Sequence, residues 1–164
     1  MKNKYVFAAV AASLSVSFSA QAEDEKYFNG GYVGGELGYV DLSGGDSGIY
    51  YGGTAGVRTQ MDSGLVLGIE GTFGGADVDF LDHIWSASGT VGMVVGAQER
   101  GLLYVGGGYA EAKASGFGIS VTGDEYMVKA GYEHALGKSL SLRGQVSTYG
   151  FDDVATTLGV LLRF

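Results

Sequence analysis

The stretch TTLGVLLRF, residues 156–164, alternates between an apolar face and a mixed one. Residues i, i+2 and i+4 of a β-strand share a face, so Leu158, Val160 and Phe164 point to one side while Arg163 points to the other. A tilted strand needs about 9–11 residues to cross a membrane, and this stretch reaches that length. It therefore predicts a β-strand with one uncharged apolar face.

Runs of the same kind fill the chain upstream, separated by clusters of Gly, Asp and Ser. A two-residue period bounded by such clusters is typical of β-strands, and no long helical periodicity occurs after residue 22. The pattern predicts an all-β fold, an eight-stranded antiparallel up-and-down transmembrane β-barrel. The eight predicted strands are residues 31–40, 49–60, 64–74, 84–97, 102–112, 124–134, 139–149 and 155–164.

The more apolar face of each predicted strand carries no charge, and the opposite faces carry all the charges of the strand centres. A soluble β-sandwich would also alternate, with its charged face in water, so alternation alone leaves both folds open. In a barrel these charges would face the lumen. They are Glu36, Arg58, Glu70, Lys129, Glu133, Arg143 and Arg163.

Aromatic residues favour the membrane barrel over the sandwich. If the first strand runs from the periplasm to the exterior, six aromatics on the apolar face fall at one level near the outer strand ends, as in the aromatic girdle of a membrane barrel. Tyr132 and Phe164 form a thinner lower ring. The alternative, a set of sandwich core aromatics, would place them at mid-strand as readily. The six girdle residues are Tyr39, Tyr51, Phe73, Trp85, Tyr109 and Tyr126.

The predicted connections differ in length between the two ends. Short turns at one end and longer loops at the other are typical of outer-membrane barrels, whose short turns are periplasmic. Only residues 150–154 depart from this pattern. The short connections are 60–64, 98–101 and 135–138, and the longer ones are 41–48, 75–83 and 113–123.

The first 22 residues have the features of a secretory signal peptide. Lys2 and Lys4 precede an apolar run over residues 5–18, and residues 20–22 read Ala-Gln-Ala, a small-x-small cleavage site. The run is too short to span a bilayer as a helix, which leaves a buried N-terminal helix as the alternative. We expect a signal peptide at residues 1–22, export through the Sec route, and a mature barrel domain at residues 23–164.

Composition excludes several classes of function. The expected mature chain has eight Lys and Arg against 18 Asp and Glu, a net charge of −10. Binding to nucleic acid needs a basic stripe, which this balance does not favour. The chain has no Cys, which excludes a disulfide scaffold and thiolate metal sites.

Three stretches resemble a known family: GGYVGGELGY (residues 30–39), LLYVGGGYA (residues 102–110) and the closing TTLGVLLRF. They are similar to the small eight-stranded outer-membrane barrels, the OmpA-type transmembrane domains and OmpX-like proteins of the porin family. The resemblance implies a place in the Gram-negative outer membrane, contact with its lipid and lipopolysaccharide, and assembly by periplasmic chaperones and the barrel-assembly machinery. It also implies that Val160, Leu162 and Phe164 form the assembly signal, although aromatics often hold the first two positions in that family.

The charges facing the predicted lumen nearly balance, at a net +1. An eight-stranded barrel is only wide enough to be filled by side chains, and an unpaired buried charge is costly. We therefore expect a filled lumen held by ion pairs, with Glu36 on Arg58 and Glu70 on Lys129 or Arg143. The alternative is a proton or ion path.

No catalytic, cofactor-binding or metal-binding residue is predicted. His83 and Ser86 are an odd number of positions apart and so lie on opposite strand faces, while His134 falls at the other end of the barrel. The acidic residues Asp77, Asp79 and Asp82 form no calcium-loop consensus. The chain is therefore not expected to be an enzyme.

The predicted function is that of a structural outer-membrane surface protein that contributes to envelope integrity. We expect it to be a monomer. The first alternative is a host- or ligand-binding surface protein that acts through its extracellular loops. Further alternatives are a lipid A-modifying enzyme, a small-solute channel and a soluble β-sandwich.

Overall fold

The computed structural model describes residues 26–42, 47–77, 81–116 and 119–164, and the predicted signal peptide lies outside them. Each of the eight predicted strands is present with ends shifted by a few residues. In chain order the strands are β1 (Gly30–Asp41), β2 (Ser47–Gln60), β3 (Leu65–Ala76), β4 (Leu81–Val95), β5 (Gly101–Gly116), β6 (Ile119–Ala135), β7 (Leu140–Tyr149) and β8 (Asp153–Arg163).

The sheet closes on itself, which confirms the predicted fold class. Each strand pairs antiparallel with its neighbours in sequence, and β1 pairs with β8 from Tyr32 opposite Arg163 to Asp41 opposite Val154. Gly31 and Phe164 extend this seam by exchanging two backbone hydrogen bonds of 2.9 Å. Closure satisfies the backbone groups of both edge strands, which an open sheet would leave unpaired. We call the end that holds Gly30 and Phe164 the inner end, and the opposite end the outer end.

The two faces of the cylinder differ as the alternation predicts. Leu37, Ile69 and Leu158 point outward and are more than 60% exposed. The seven charged residues of the predicted lumen face are all buried. A continuous exposed apolar band of this kind is unfavourable in water and favourable against acyl chains.

Glycines on the lumen face make room for tyrosine rings. A Cβ added at Gly56 would lie 2.5 Å from the Tyr32 hydroxyl oxygen, and one at Gly131 would lie 2.5 Å from that of Tyr104. Real Cβ atoms do not approach so closely, so each ring depends on the bare backbone of a nearby strand. The lumen is therefore packed by large side chains set against glycines.

The predicted asymmetry of the connections is wrong. The expected long loop at residues 113–123 is mostly strand, because β5 and β6 stay paired from Lys113 opposite Thr122 to Gly116 opposite Ile119. Likewise, β3 and β4 take up most of residues 75–83. The alternation of β-forming residues such as Val121 continues through Gly and Ser positions that the sequence analysis assigned to a loop. As a result, the connections at the two ends are similar in length.

In the described part of the chain, no helix is both long enough and apolar enough to cross a bilayer.

Candidate functional site in the lumen

An alternating chain of five charges crosses the inner half of the lumen. The Arg58 guanidinium donates two hydrogen bonds of 2.7 Å to the Glu133 carboxylate. Arg143 donates to the same carboxylate at 3.2 Å and also to Glu70, which accepts a further hydrogen bond from Lys129. The order Arg58, Glu133, Arg143, Glu70, Lys129 places every carboxylate between two cations. We call these five residues the ionic cluster.

The ionic cluster joins strands that are distant in the sheet. Arg58 lies on β2 and Glu133 on β6, on opposite walls of an eight-stranded cylinder. Glu70 on β3 connects in the same way to Arg143 on β7. Because the side chains are buried, water screens these pairs little, and each of them holds two walls together.

Two tyrosines complete the packing of the ionic cluster. The Tyr32 hydroxyl donates to Glu70 at 2.6 Å, and the Arg58 guanidinium carbon lies 4.6 Å from the centre of the Tyr32 ring. Arg143 lies between the rings of Tyr32 and Tyr104, at 5.1 and 5.3 Å from their centres. Cation–π contacts of this kind strengthen when they are desolvated, so the rings supply attraction as well as volume.

The structure changes one predicted ion pair and resolves another. Glu36 does not pair with Arg58, because Arg58 lies opposite Gly30 in the β1–β2 register, six residues or about 20 Å along the strand from Glu36. Glu36 instead forms an ion pair with Arg143, at 3.6 Å. Glu70, for which two partners were left open, contacts both Lys129 and Arg143. The strand register determines these ion pairs. The alternation of inward and outward residues within one strand gives no information about the register between strands.

Arg163 differs from the ionic cluster in its hydrogen-bond partners. Its guanidinium donates to the carbonyl oxygens of Tyr27, Gly137 and Leu140 at the inner end. It faces the lumen as predicted and is buried, but its hydrogen bonds go to backbone carbonyls and not to a carboxylate. Without Arg163, the six remaining charges balance to zero.

The segment before β1 closes the inner end, which the sequence analysis missed. Phe28 is fully buried against Val66, Leu102 and Ala135. Its backbone N–H donates to the Gln60 side-chain oxygen at 3.0 Å, and Arg58 lies 5.1 Å from its ring centre. The only signal in the sequence is an aromatic residue just before the first strand. It identifies Phe28 as apolar but gives no indication that the segment folds back into the lumen.

A salt bridge outside the barrel wall fixes the same segment. Lys26 donates to Asp62 in the β2–β3 turn at 2.7 Å. This hydrogen bond and the positive charge of Lys26 lower the pKa of the exposed Asp62 carboxyl. The segment is thus held by Phe28 inside the lumen and by Lys26 outside it.

The aromatics of the predicted girdle lie on the outward face toward the outer strand ends. Tyr126 is 81% exposed, the Trp85 and Tyr109 rings lie 5.9 Å apart, and the Tyr39 hydroxyl bonds to Ser47 at 2.5 Å. Tyr51 and Phe73 are also exposed, as are Tyr132 and Phe164 toward the inner end. Val160 and Leu162 face outward beside them, but their role as an assembly signal stays a prediction.

The described residues show no hydrogen bond between a histidine and a serine hydroxyl, and the one hydroxyl bonded to a histidine ring in the described residues is that of Tyr132, 3.1 Å from His134 Nδ1. The His83 ring stacks on Phe73 at 5.7 Å, whereas the Ser86 hydroxyl is buried and bonds to Thr72 at 2.6 Å. His134 lies at the inner end and stacks on Tyr132.

The predicted acidic cluster is only partly described. Asp77 directly follows β3, while Asp79 and the side chain of Asp82 lie outside the described residues. Within the parts of the chain that are described, no three His, Asp or Glu side chains converge in a way that could hold a metal ion.

Comparison with known proteins gives one family. A family model described as "Outer membrane protein beta-barrel domain" matches residues 8–164. No curated protein matches the sequence significantly.

Several solved structures share the fold. The chain is similar to the N-terminal β-barrel domain of Pseudomonas aeruginosa OprF, with a TM-score of 0.59, 15% identity, and coverage of 81% of this chain and 97% of that chain. It is also similar to neisserial surface protein A, with a TM-score of 0.56, 15% identity, and coverage of 83% of this chain and 98% of that chain. For Ail, the attachment invasion locus protein of Yersinia pestis, the TM-score is 0.54 and the identity 20%, with coverage of 83% of this chain and 99% of that chain. At these identities the likeness is one of fold.

Proposed function

This chain belongs to the outer-membrane β-barrel domain family, and from that premise we propose that it is a non-enzymatic structural protein of the outer membrane with a filled lumen. Its outward face contacts acyl chains, and its contribution to the envelope is mechanical rather than transport. Export by the predicted signal peptide, assembly through the terminal Phe164 signal, contact with lipopolysaccharide and a monomeric state belong to the same proposal.

The ionic cluster is the observation that carries this proposal. Its five side chains cross the lumen from β2 to β7, and Phe28 fills the space toward the inner end. A conducting path would have to separate cations from carboxylates that are almost completely buried. Removing one partner of a buried ion pair costs about 3–5 kcal/mol because the other charge is left uncompensated, so an opening that leaves these charges unpaired is strongly unfavourable.

Conductance measurements test the filled lumen. Purified protein is inserted into planar bilayers and compared with a double variant, Phe28→Ala with Arg58→Ala, that removes the inner packing. We expect no stable openings in the nanosiemens range for the wild type and larger or more frequent events for the variant. A stable nanosiemens pore in the wild type would contradict the proposal.

A second experiment tests the role in the envelope. The gene is deleted in its source bacterium and restored either as wild type or as Arg143→Ala. We expect the deletion strain to become sensitive to bile salts and large antibiotics, with recovery only for the wild type. Unchanged sensitivity in the deletion strain would remove the structural role while leaving the fold intact.

A ligand-binding surface protein is the second candidate. Phe151 favours it, because this residue is 75% exposed at the outer end and has a φ of 68°, a left-handed conformation that a bulky residue rarely adopts. Strain of this kind concentrates at functional sites. The name of the similar Yersinia pestis protein, attachment invasion locus, points to the same class of function. Whole-cell adhesion with Phe151→Ser tests it, and Leu136→Ser, at an exposed apolar residue of the inner end, is the control. Equal loss in both variants would contradict a role for the outer end.

A further inference from the structure

The outer mouth of the lumen contains a cavity of about 140 Å³ that the ionic cluster does not reach. Its walls come from the inward faces of β1 and β4 to β8, and they include Leu42, Ile84, Ala112 and Tyr149. The buried residues Val40, Ala76 and Ala155 form an apolar cluster beside it, and Val40 also lines the cavity. The cavity is therefore an apolar cup in the outer half, separate from the charges deeper in the lumen.

Two carboxylates line this otherwise apolar cup, those of Glu125 on β6 and Asp153 on β8. The Glu125 side chain lies next to Gly150 in the β7–β8 connection. In the described part of the chain, Glu125 has no ion pair. The cup thus combines an apolar wall with negative charge.

The surrounding chain reinforces this negative charge. Among the side chains that the structure describes, the outer strand ends and connections carry six carboxylates and no Lys or Arg. A cleft surrounded by one sign of charge concentrates small ions of the opposite sign. These six carboxylates are Asp41, Asp77, Glu111, Glu125, Asp152 and Asp153.

We propose that the cup binds a small organic cation, an ammonium group attached to an apolar group about the size of a phenyl ring. An apolar cavity of roughly 150 Å³ holds a benzene molecule, so the volume suits such a group. The apolar end lies against Leu42, Ile84 and Ala112, and the ammonium group faces Glu125. This inference goes beyond the structural role, because a filled inner lumen is compatible with a ligand at the outer mouth.

The probe for this proposal is phenethylammonium, and 2-phenylethanol is its uncharged counterpart. The protein is placed in nanodiscs of zwitterionic phosphatidylcholine, and the methyl NMR signals of Leu42 and Ile84 are followed during titration. We expect saturable shifts with phenethylammonium and an affinity about tenfold lower for the alcohol, the equivalent of one favourable charge contact. Added salt should weaken binding of the cation but not of the alcohol.

Two variants locate the site, and one serves as a control. Ala112→Phe fills the cup and should abolish the saturable shifts, with Leu42→Trp as the replacement if the first variant fails to fold by heat-modifiable gel migration. Glu125→Gln should weaken phenethylammonium binding about fivefold without affecting the alcohol. Asp62→Asn, which removes an exposed carboxylate at the inner end, should leave the affinity unchanged.

Three outcomes would overturn the proposal. Shifts that rise linearly without saturation would indicate partition into the bilayer. Equal affinities for the cation and the alcohol would remove the role of the carboxylates. Saturable binding that survives both Ala112→Phe and Leu42→Trp would place the ligand elsewhere.

Discussion

The inner and outer halves of the lumen are built on different principles. The inner half is filled by the ionic cluster, by Tyr32 and Tyr104, and by the buried Phe28. The outer half has a small apolar cluster of Val40, Ala76 and Ala155 beside an open cup of about 140 Å³. Inward-facing residues thus fill the lumen in the inner half and leave a cavity in the outer half. We infer that the inner half determines stability and that the outer half is free to vary.

The largest expected effect comes from the centre of the inner half. Arg143→Ala leaves Glu70 and Glu133 buried with one cation fewer, and we expect it to lower the free energy of unfolding by about 3–5 kcal/mol. Urea unfolding in lipid vesicles, followed by the fluorescence of Trp85, measures it. The control is Gln145→Ala, which removes a neutral lumen side chain bonded to Tyr104 and should cost only about 1–3 kcal/mol. Equal losses would mean that the charges do not dominate the inner half.

Buried apolar residues at the two ends give the next contrast. Phe28→Ala leaves a cavity in the inner end and should destabilise the barrel by roughly 3–5 kcal/mol. Val40→Ala in the outer apolar cluster removes about two methylene equivalents and should cost about 1.6 kcal/mol. The same unfolding assay compares them. A larger effect at Val40 would reverse the proposed division between the halves.

The outward face provides a test of the membrane that both halves share. Leu67→Arg and Val91→Arg place a charge at mid-depth, and each should destabilise the barrel by about 2–4 kcal/mol. Tyr126→Arg, in the girdle near the outer interface, should cost only about 0–1 kcal/mol. Folding yield into vesicles, read from gel migration with and without heating, reports the difference. Full tolerance of both mid-depth arginines would mean that lipid does not contact this face.

Glycine substitutions sharpen the comparison at smaller magnitude. A Cβ at Gly56 in the inner half would meet the Tyr32 hydroxyl at 2.5 Å, whereas one at Gly123 in the outer cup has no atom within 4 Å. Gly56→Ala should therefore cost about 1–3 kcal/mol through overpacking. Gly123→Ala should be neutral or slightly stabilising, because it only restricts the unfolded chain. Thermal unfolding of the two variants side by side tests this, and similar melting temperatures would contradict it.

The smallest effect concerns the salt bridge outside the inner end. Lys26 lowers the pKa of Asp62, so the bridge stabilises the fold at pH values above the ordinary carboxyl pKa and is lost as the pH falls through the lowered one. A carbon-13 NMR titration of the Asp62 carboxyl should show this lowered pKa. In Lys26→Met the value should return to the ordinary range. An unchanged Asp62 titration in that variant would exclude Lys26 as the cause.

The face pattern made most of the fold predictable. Alternation in stretches such as residues 156–164 is a local property, and it identified eight strands with their inward and outward faces. The placement of the aromatic residues at the strand ends then favoured a closed barrel over a sandwich. The same locality explains the errors. Residues 113–123 contain Gly and Ser in positions typical of a loop, but pairing between β5 and β6 keeps them in a ladder. Contacts with a neighbouring strand override the local preference of Gly and Ser for loops. Such contacts cannot be deduced from the sequence of one strand.

The sequence by itself determined which side chains face lipid and which face the lumen, because that choice follows from a two-residue period. Only the tertiary structure decided which side chains contact each other in the lumen. The strand register pairs Arg58 with Glu133 and not with Glu36. Closure of the barrel places β2 across the lumen from β6, and β3 across from β7, so that their charged side chains meet. It also folded Phe28 into the inner end and left the cup at the outer end. The position of each side chain along the barrel axis is set by the pairing of all eight strands together. It is therefore defined only when the cylinder is closed.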